Sequence, residues 1–478
     1  MKRLAIIAGI VLGAMLLGSC YFMSAKSTGS IQINFGGATL KATTGGTTPS
    51  PTPDKARIYL YTYASSANYS LYTFPGGLNY YETGYPGTAT LNDIPVGQWQ
   101  VLVSIGNEGA NGSFATSSYG QSAVFTLVSG DNHGETVPTT PSPFVSSVDL
   151  LGKNINGVVT SAGTPSLCAS DSGNLYTGIA GTNLGTSGAL TPVTVPGYQI
   201  QSLGAYNAGR LSFVLVNTNQ GIGSYSGTTF NGSFSQGLTT TIGTSPTVLQ
   251  SGGEQFGTTS AESVIFYQRT GGLGGGYFSG ISPAQPPSGT SPPSPYGWDD
   301  IDLSGKVVGQ PVYQFSANTD GLTYAYGFFA TKLGAFWTTQ SLISSGGDMS
   351  TEAHFFNAPL NAIIEAIGVN PTGTLLYVGT PNGAYYAQIT ESAGSVTLGS
   401  WVALDRTLGD SIIAIAASSS YVALRSAYNI YVVNTTTQAT TPYPFYGGLP
   451  GRLQAMAWDS STNTLYLGGS AGLVSLVP

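Results

Sequence analysis

Charge is the scarcest property of this sequence. Asp, Glu, Lys and Arg make up 7% of its 478 residues, where an ordinary soluble domain carries about 25%. Lys and Arg total 14 against 21 Asp and Glu, a net charge of −7, and no basic cluster stands out. Nucleic acid is therefore not an expected partner, since phosphate backbones are held by grouped Lys and Arg. Cysteine is nearly absent: Cys20 and Cys168 are the two in the chain. Histidine is as rare, and His133 and His354 leave little material for triad chemistry. After the first 20 residues no apolar run reaches the ~18 residues expected of a membrane-spanning helix.

What the chain has instead is Ser, Thr, Asn and Gln to wet its surface, 67 Gly and 27 Pro to turn it, and 29 Tyr suited to half-buried strands. With 41% hydrophobic residues in alternating runs it reads as folded, not disordered. Residues 1–19, MKRLAIIAGIVLGAMLLGS, hold Lys2 and Arg3, an apolar stretch from Leu4 to Leu17 and then small residues, the parts of a secretory signal in order. Leu17-Gly18-Ser19-Cys20 resembles the lipobox of bacterial lipoproteins. The resemblance implies diacylglycerol on the Cys20 sulfur, cleavage just before it and a lipidated tether over residues 20–27. Such a body is anchored to a membrane without spanning it, because several acyl chains hold a domain stably where one does not. Tyr21, where inner-membrane lipoproteins tend to carry Asp, points by the same resemblance to the outer membrane. With Cys20 acylated, Cys168 has no partner for an intramolecular disulfide. In the run Ser166-Leu167-Cys168-Ala169 it reads as a buried, inert strand residue.

Period-two alternation then predicts half-buried antiparallel strands over residues 28–137: Ile31, Ile33 and Phe35; Ile58, Leu60 and Thr62; Trp99, Val101 and Val103; Val124, Thr126 and Val128. The segment from Ala89 to Val101, with Ile94-Pro95-Val96-Gly97 at its centre and Trp99-Gln100-Val101 after it, resembles a hairpin of transthyretin-like and carboxypeptidase-regulatory-like domains. The resemblance implies an immunoglobulin-like or transthyretin-like β-sandwich of about seven strands, a spacer or adhesion module without a catalytic role. Asp131, His133 and Glu135 carry metal-ligand chemistry but fall in a polar turn, and a zinc site needs three or four ligands with partners to orient them. They are read as turn residues. Residues 138–143, rich in Thr, Ser and Pro, predict a stiff linker.

From residue 144 to 478 the chain repeats itself. Three segments share one plan of apolar strand, turn, strand, tight turn and strand: 364–369, 375–380 and 383–385; 413–416, 421–424 and 429–431; 453–458, 464–469 and 472–474. Gly383, Asn429 and Gly472 occupy equivalent turns 46 and 43 residues apart, the spacing of four-stranded blades. Fainter copies stand at 174–178, 215–221 and 333–336. Units that cannot bury both faces alone must stack around a ring. The predicted fold class is therefore all-β, an N-terminal β-sandwich followed by a β-propeller of seven blades, with six or eight as alternatives. The last repeat supplies three clear strands, and Val145 to Leu150 is a spare apolar strand. That early strand is expected to complete the blade containing Trp458 and Tyr466 and so remove two sheet edges.

Catalytic motifs are thin. Gly468-Gly469-Ser470-Ala471-Gly472 matches G-x-S-x-G, which demands a strand-to-helix turn, yet the equivalent positions Gly379 to Gly383 read as a hairpin. The glycine run 271–276 also suits a hairpin better than a phosphate loop. Trp298, Asp299, Asp300 and Asp302 form the candidate ligand site: three carboxylates beside a tryptophan, suited to calcium or a sugar, with an exposed acidic loop as the plain alternative. No catalytic residue, resident metal or cofactor is expected. The expected function is that of a non-enzymatic cell-envelope lipoprotein binding a neutral polymer, glycan or peptide, through a Tyr-rich surface. One alternative is a scaffold subunit of an envelope assembly complex, resembling in part the propeller lipoprotein of the outer-membrane barrel-assembly machine. A metal-dependent propeller hydrolase or lactonase is the other.

Overall fold

The computed structural model describes residues 27–35, 53–65, 68–108, 114–161, 165–195, 197, 199–208, 211–218, 221–226, 229–231, 249–256, 260–269, 272–281, 296–301, 312–319, 324–331, 334–341, 354–370, 372–392, 394–426, 429–444 and 453–478. Strands dominate them, with two short 3-10 turns at Pro359–Asn361 and Asp405–Thr407. Among the described residues no helix is long and apolar enough to cross a membrane. Two compact units share the chain, and the second contains 142–478.

In the first unit, Thr28–Phe35 lies between Thr88–Pro95, antiparallel, and Asn132–Val137, parallel. A second sheet runs in the order Thr139–Pro141, Phe114–Gln121, Gly97–Glu108, Lys55–Ser65, Asn68–Leu71, with Tyr81–Gly84 and Phe125–Leu127 attached. The two sheets bury one core, Ile31, Ile33, Leu91 and Ile94 on one side and Ile58, Leu60, Val101 and Val103 on the other. Alternation put each set on a single strand face.

Three local expectations change here. Thr88–Pro95 and Gly97–Glu108 are consecutive but do not pair as a hairpin: the first joins Thr28–Phe35 and the second joins Lys55–Ser65. Positive φ at Asp93 (58°) and Gly97 (151°) carries the chain from one sheet to the other, and the Trp99 indole nitrogen donates to the Pro95 carbonyl at 2.8 Å to fix the arch. In Phe125–Leu127 the inward residue is Leu127, while Val124 and Val128 are exposed. Val124-Phe125-Thr126-Leu127-Val128 is apolar in both phases, so alternation alone could not set its register. Finally, Thr139–Pro141, inside the expected linker, is an edge strand paired with Phe114–Gln121. An edge tolerates Pro141, since one side of the strand has no ladder to complete.

The second unit folds its described residues into seven antiparallel sheets built on four strands, six of them in chain order and the seventh completed by an early strand. Their first strands are Gly157–Thr160, Ile200–Ala208, Leu249–Phe256, Val312–Thr319, Ala366–Val369, Ala414–Ala417 and Leu453–Asp459. Each touches the first strand of the next sheet, and the last touches Gly157–Thr160, so the ring is closed: a β-propeller. The fifth sheet gains a further strand, Val402–Ala403. In the seventh, Leu453–Asp459, Thr464–Gly469 and Gly472–Leu476 are completed by Phe144–Ser146, with Phe144 opposite Leu476 and Ser146 opposite Val474. The closing strand is thus the early one, shorter than 145–150 and starting one residue sooner.

Cores lie between neighbouring sheets. Leu465 and Leu467 face Ala423, Ile430 and Val432 of the sixth sheet, while Tyr466, between them in sequence, faces Ile155, Val158 and Leu167 of the first. The glycines of the repeats serve this stacking. A Cβ on Gly379 would meet the Ile412 carbonyl oxygen at 2.4 Å, and one on Gly468 would meet Ile155 Cγ2 at 2.6 Å. Both isoleucines lead into the first strand of the next sheet. Turns between first and second strands are held by side chains: Asn370 Oδ1 accepts from the Thr374 and Leu375 amides at 2.9 and 2.8 Å, and Asp459 accepts from Ser461 and Thr462.

Candidate functional site

Trp298, Asp299 and Asp300 lie in Tyr296–Ile301, the outermost strand of the third sheet, opposite Gly276, Gly275 and Gly274 respectively. The acidic run is a strand backed by the glycine-rich strand Gly272–Ile281, not a loop, and it stands at the edge of its sheet remote from the first strands that ring the centre. Asp302 and the lipidation candidate Cys20 lie outside the described residues.

The remaining sequence candidates are absorbed by packing. His133 sits in Asn132–Val137, stacked on Phe125 at 4.1 Å between ring centroids, with its Nε2 3.0 Å from Glu135 Oε2. His354 stacks on Trp337 at 4.1 Å. Among the described residues no group of three His, Cys, Asp or Glu is placed to hold a metal. The G-x-S-x-G match spans the turn from Thr464–Gly469 to Gly472–Leu476, a β-hairpin. Gly468 is there for Ile155, and Gly472, at φ 141°, turns the chain where a Cβ would meet the Leu150 carbonyl oxygen at 3.0 Å. Cys168 is fully buried against the second sheet, and burial pushes its thiol up to about 12.

A constellation that the sequence did not advertise lies where the ring closes. The loop leaving the closing strand carries Asp149 and Lys153 to the first sheet, and with Asn174, Tyr176, Leu190 and Pro192 they line a cavity of about 360 Å³. Asp149 is fixed by backbone: its two oxygens accept from the Gly188 amide at 2.9 Å and the Leu190 amide at 3.0 Å. Lys153 Nζ stands 5.4 Å from the centre of the Tyr176 ring and makes no ion pair among the described residues. The ring itself is locked. Tyr176 donates its hydroxyl to Asp171 Oδ2, while the Gly173 and Asn174 amides and Asn174 Nδ2 donate to Asp171 Oδ1 at 2.8, 2.7 and 3.3 Å.

Burial, and then the bond to Asp171, push the Tyr176 phenol well above its ordinary value. Burial works to raise the Asp171 carboxyl as well, but the hydrogen bonds from Tyr176, Gly173 and Asn174 outweigh it and hold that group low. Tyr176 therefore stays neutral and Asp171 stays charged at neutral pH. The sixth sheet makes a related contact from a different place: Tyr431 and Asn429 both donate to Asp410 Oδ2, and Asp410 precedes the first strand, while Ser426 holds the turn position of Asp171. In both sheets an Asn-x-Tyr opens the third strand, a signal visible in the sequence only once the strand order is known.

No family model matches the chain. No curated protein matches it either. Among solved structures, PorZ, a bacterial surface component of the type-IX secretion system of Porphyromonas gingivalis, is similar at TM-score 0.43 and 14% identity over 70% of this chain. The chain spans 38% of the length of that protein. A chain of the mitotic checkpoint complex is similar at TM-score 0.43 and 13% identity, covering 70% of this chain and 90% of its own. The β-propeller domain of Cps50 (Swd1) from Myceliophteria thermophila has TM-score 0.43 and 10% identity, with 68% and 96% covered.

Proposed function

We propose that this chain is a non-enzymatic binding module of the cell envelope, anchored through lipid on Cys20 at the outer membrane, whose seven sheets act as the seven blades of a propeller that holds a neutral glycan or peptide. The observation that carries the reading is the cavity beside the ring closure, where one cation, Lys153, and one carboxylate, Asp149, line the wall among hydrogen-bonding and apolar groups, and the nearby Asp171 carboxylate is taken up by four protein donors. A site of that balance favours an uncharged partner, and the charge-poor chain around it supplies little long-range steering. Residues 144–478 hold 8 Lys and Arg and 15 Asp and Glu. Trp298, with Asp299 and Asp300 beside it at the outer edge of the third blade, is proposed as a secondary contact, together with Asp302, which lies outside the described residues.

Calorimetric titration against uncharged glycan and peptide panels at low and physiological salt tests the reading. Affinity should change little between the two, and no hydrolysis product should accumulate; a steep salt dependence, or turnover abolished by a chelator, would show the class to be wrong. The anchor has its own test. Cys20→Ser should abolish labelling by a fatty-acid analogue and release the protein from the membrane fraction.

A scaffold role in an envelope complex is favoured by one observation. Leu360, held at φ 53°, is 83% exposed, and Ile363 and Phe355 near it in sequence are exposed too. An apolar residue kept outward in a left-handed conformation is costly unless something uses it. Loss of co-purification with envelope complexes in Leu360→Asp, with glycan and peptide binding intact, would favour this second reading.

A further inference from the structure

We propose that the cavity formed by Asp149, Lys153, Asn174, Tyr176, Leu190 and Pro192 is a subsite for one uncharged hexose unit of a glycan. The inference rests on the binding reading above and names the class of ligand and the residues that hold it.

The donors and acceptors lining the cavity suit a sugar. Lys153 offers three ammonium N–H groups with no carboxylate partner among the described residues. Asp149 uses one lone pair of each oxygen on the Gly188 and Leu190 amides and keeps the others for a ligand. Asn174 spends its amide nitrogen on Asp171, which leaves its carbonyl oxygen as an acceptor. A sugar hydroxyl both donates and accepts, so neighbouring hydroxyls of one ring bridge a carboxylate, an amide oxygen and an ammonium where a carboxylate or amine ligand satisfies one partner and repels another.

Its shape and rigidity suit one ring. At about 360 Å³ the cavity lies near the lower end of ligand pockets. It has room for one ring, and Leu190 and Pro192 offer an apolar wall to the ring's C–H face. Asp149 is pinned by two amides and Tyr176 by Asp171, so little side-chain entropy is lost on binding. A peptide is the poorer occupant. It would add as a strand to the edge of Leu190–Thr194, the outermost strand of its sheet, and Pro192 in the middle of that strand has no N–H to give.

The test uses the full chain in detergent, titrated with neutral α- and β-linked gluco- and manno-oligosaccharides and with uncharged peptides. Glycan affinity should fall at least tenfold in Lys153→Met and in Asn174→Ala; Lys153→Met should melt within about 2 °C of the parent, and Asn174→Ala, which also gives up its bond to Asp171, somewhat lower. Trp298→Ala should lose less. If glycan binding survives both substitutions, or is lost only in Trp298→Ala, the subsite assignment is overturned while the binding reading stands. If peptides bind and glycans do not, the hexose class is overturned. Failure of both panels overturns the binding reading and the subsite with it.

Discussion

At the residue scale, the repeats are governed by what one sheet presses against the next. Gly379 and Gly468 look like hairpin glycines in the sequence, but neither has a positive φ and both lie within strands. They are small because Ile412 and Ile155 lie on them. Gly379→Ala and Gly468→Ala should each destabilise the propeller by about 1–3 kcal/mol, the usual cost of overpacking a close contact, read from chemical denaturation. Cys168 gives a second prediction. Its thiol should stay unreactive toward an aqueous disulfide reagent in the native protein and react fully after denaturation, because it is completely buried and held protonated to about pH 12. Fast native modification would contradict the packing between the first two sheets.

At the element scale, the strand that matters most is one of three residues. Phe144–Ser146 supplies the fourth strand of the seventh sheet, and Phe144 is buried among Ile430, Val432, Leu453 and Leu476. Phe144→Ala should cost roughly 3–5 kcal/mol, the range for removing a buried aromatic side chain. Deleting 144–146 should lower the propeller's melting temperature further, because it exposes the edge of Gly472–Leu476 as well. An unchanged melting temperature in either protein would mean that the ring does not depend on this closure. The same strand leads into the loop bearing Asp149 and Lys153, which runs on into the first sheet, so the cavity lies beside the closure. Neither residue was legible as a site in the sequence, since 20 residues lie between Lys153 and Asn174 and only the folding of the first sheet brings them together.

At the scale of the whole molecule, pH should act through groups that burial keeps neutral. The Cys168 thiol and the Tyr377 phenol are each pushed up to about 12, chiefly by desolvation. A group raised in the folded state contributes stability that is complete below its unfolded value, near 8.5 for Cys and 10 for Tyr, and is lost as pH climbs toward the folded one. Stability should therefore decline from about pH 8.5 to 12. Cys168→Ala should remove part of that slope, at most about 1.4 kcal/mol per pH unit, and parallel curves for parent and variant would refute the assignment. The sequence by itself determined the all-β class, the positions of the late repeats and the need for an early strand to finish the last blade, because these follow from strand periodicity and from the cost of an unpaired edge. It did not determine the phase of Phe125–Leu127, the arch at Ile94 to Gly97 or the partner of Thr139–Pro141. Each of those depends on which of two sheets a strand joins, and local alternation is the same for either choice. The cavity belongs to the same class: its six residues come from three segments, and only the tertiary packing of the loop at 149–153 on the first sheet brings Lys153 to the Tyr176 ring and Asp149 to the Gly188 and Leu190 amides.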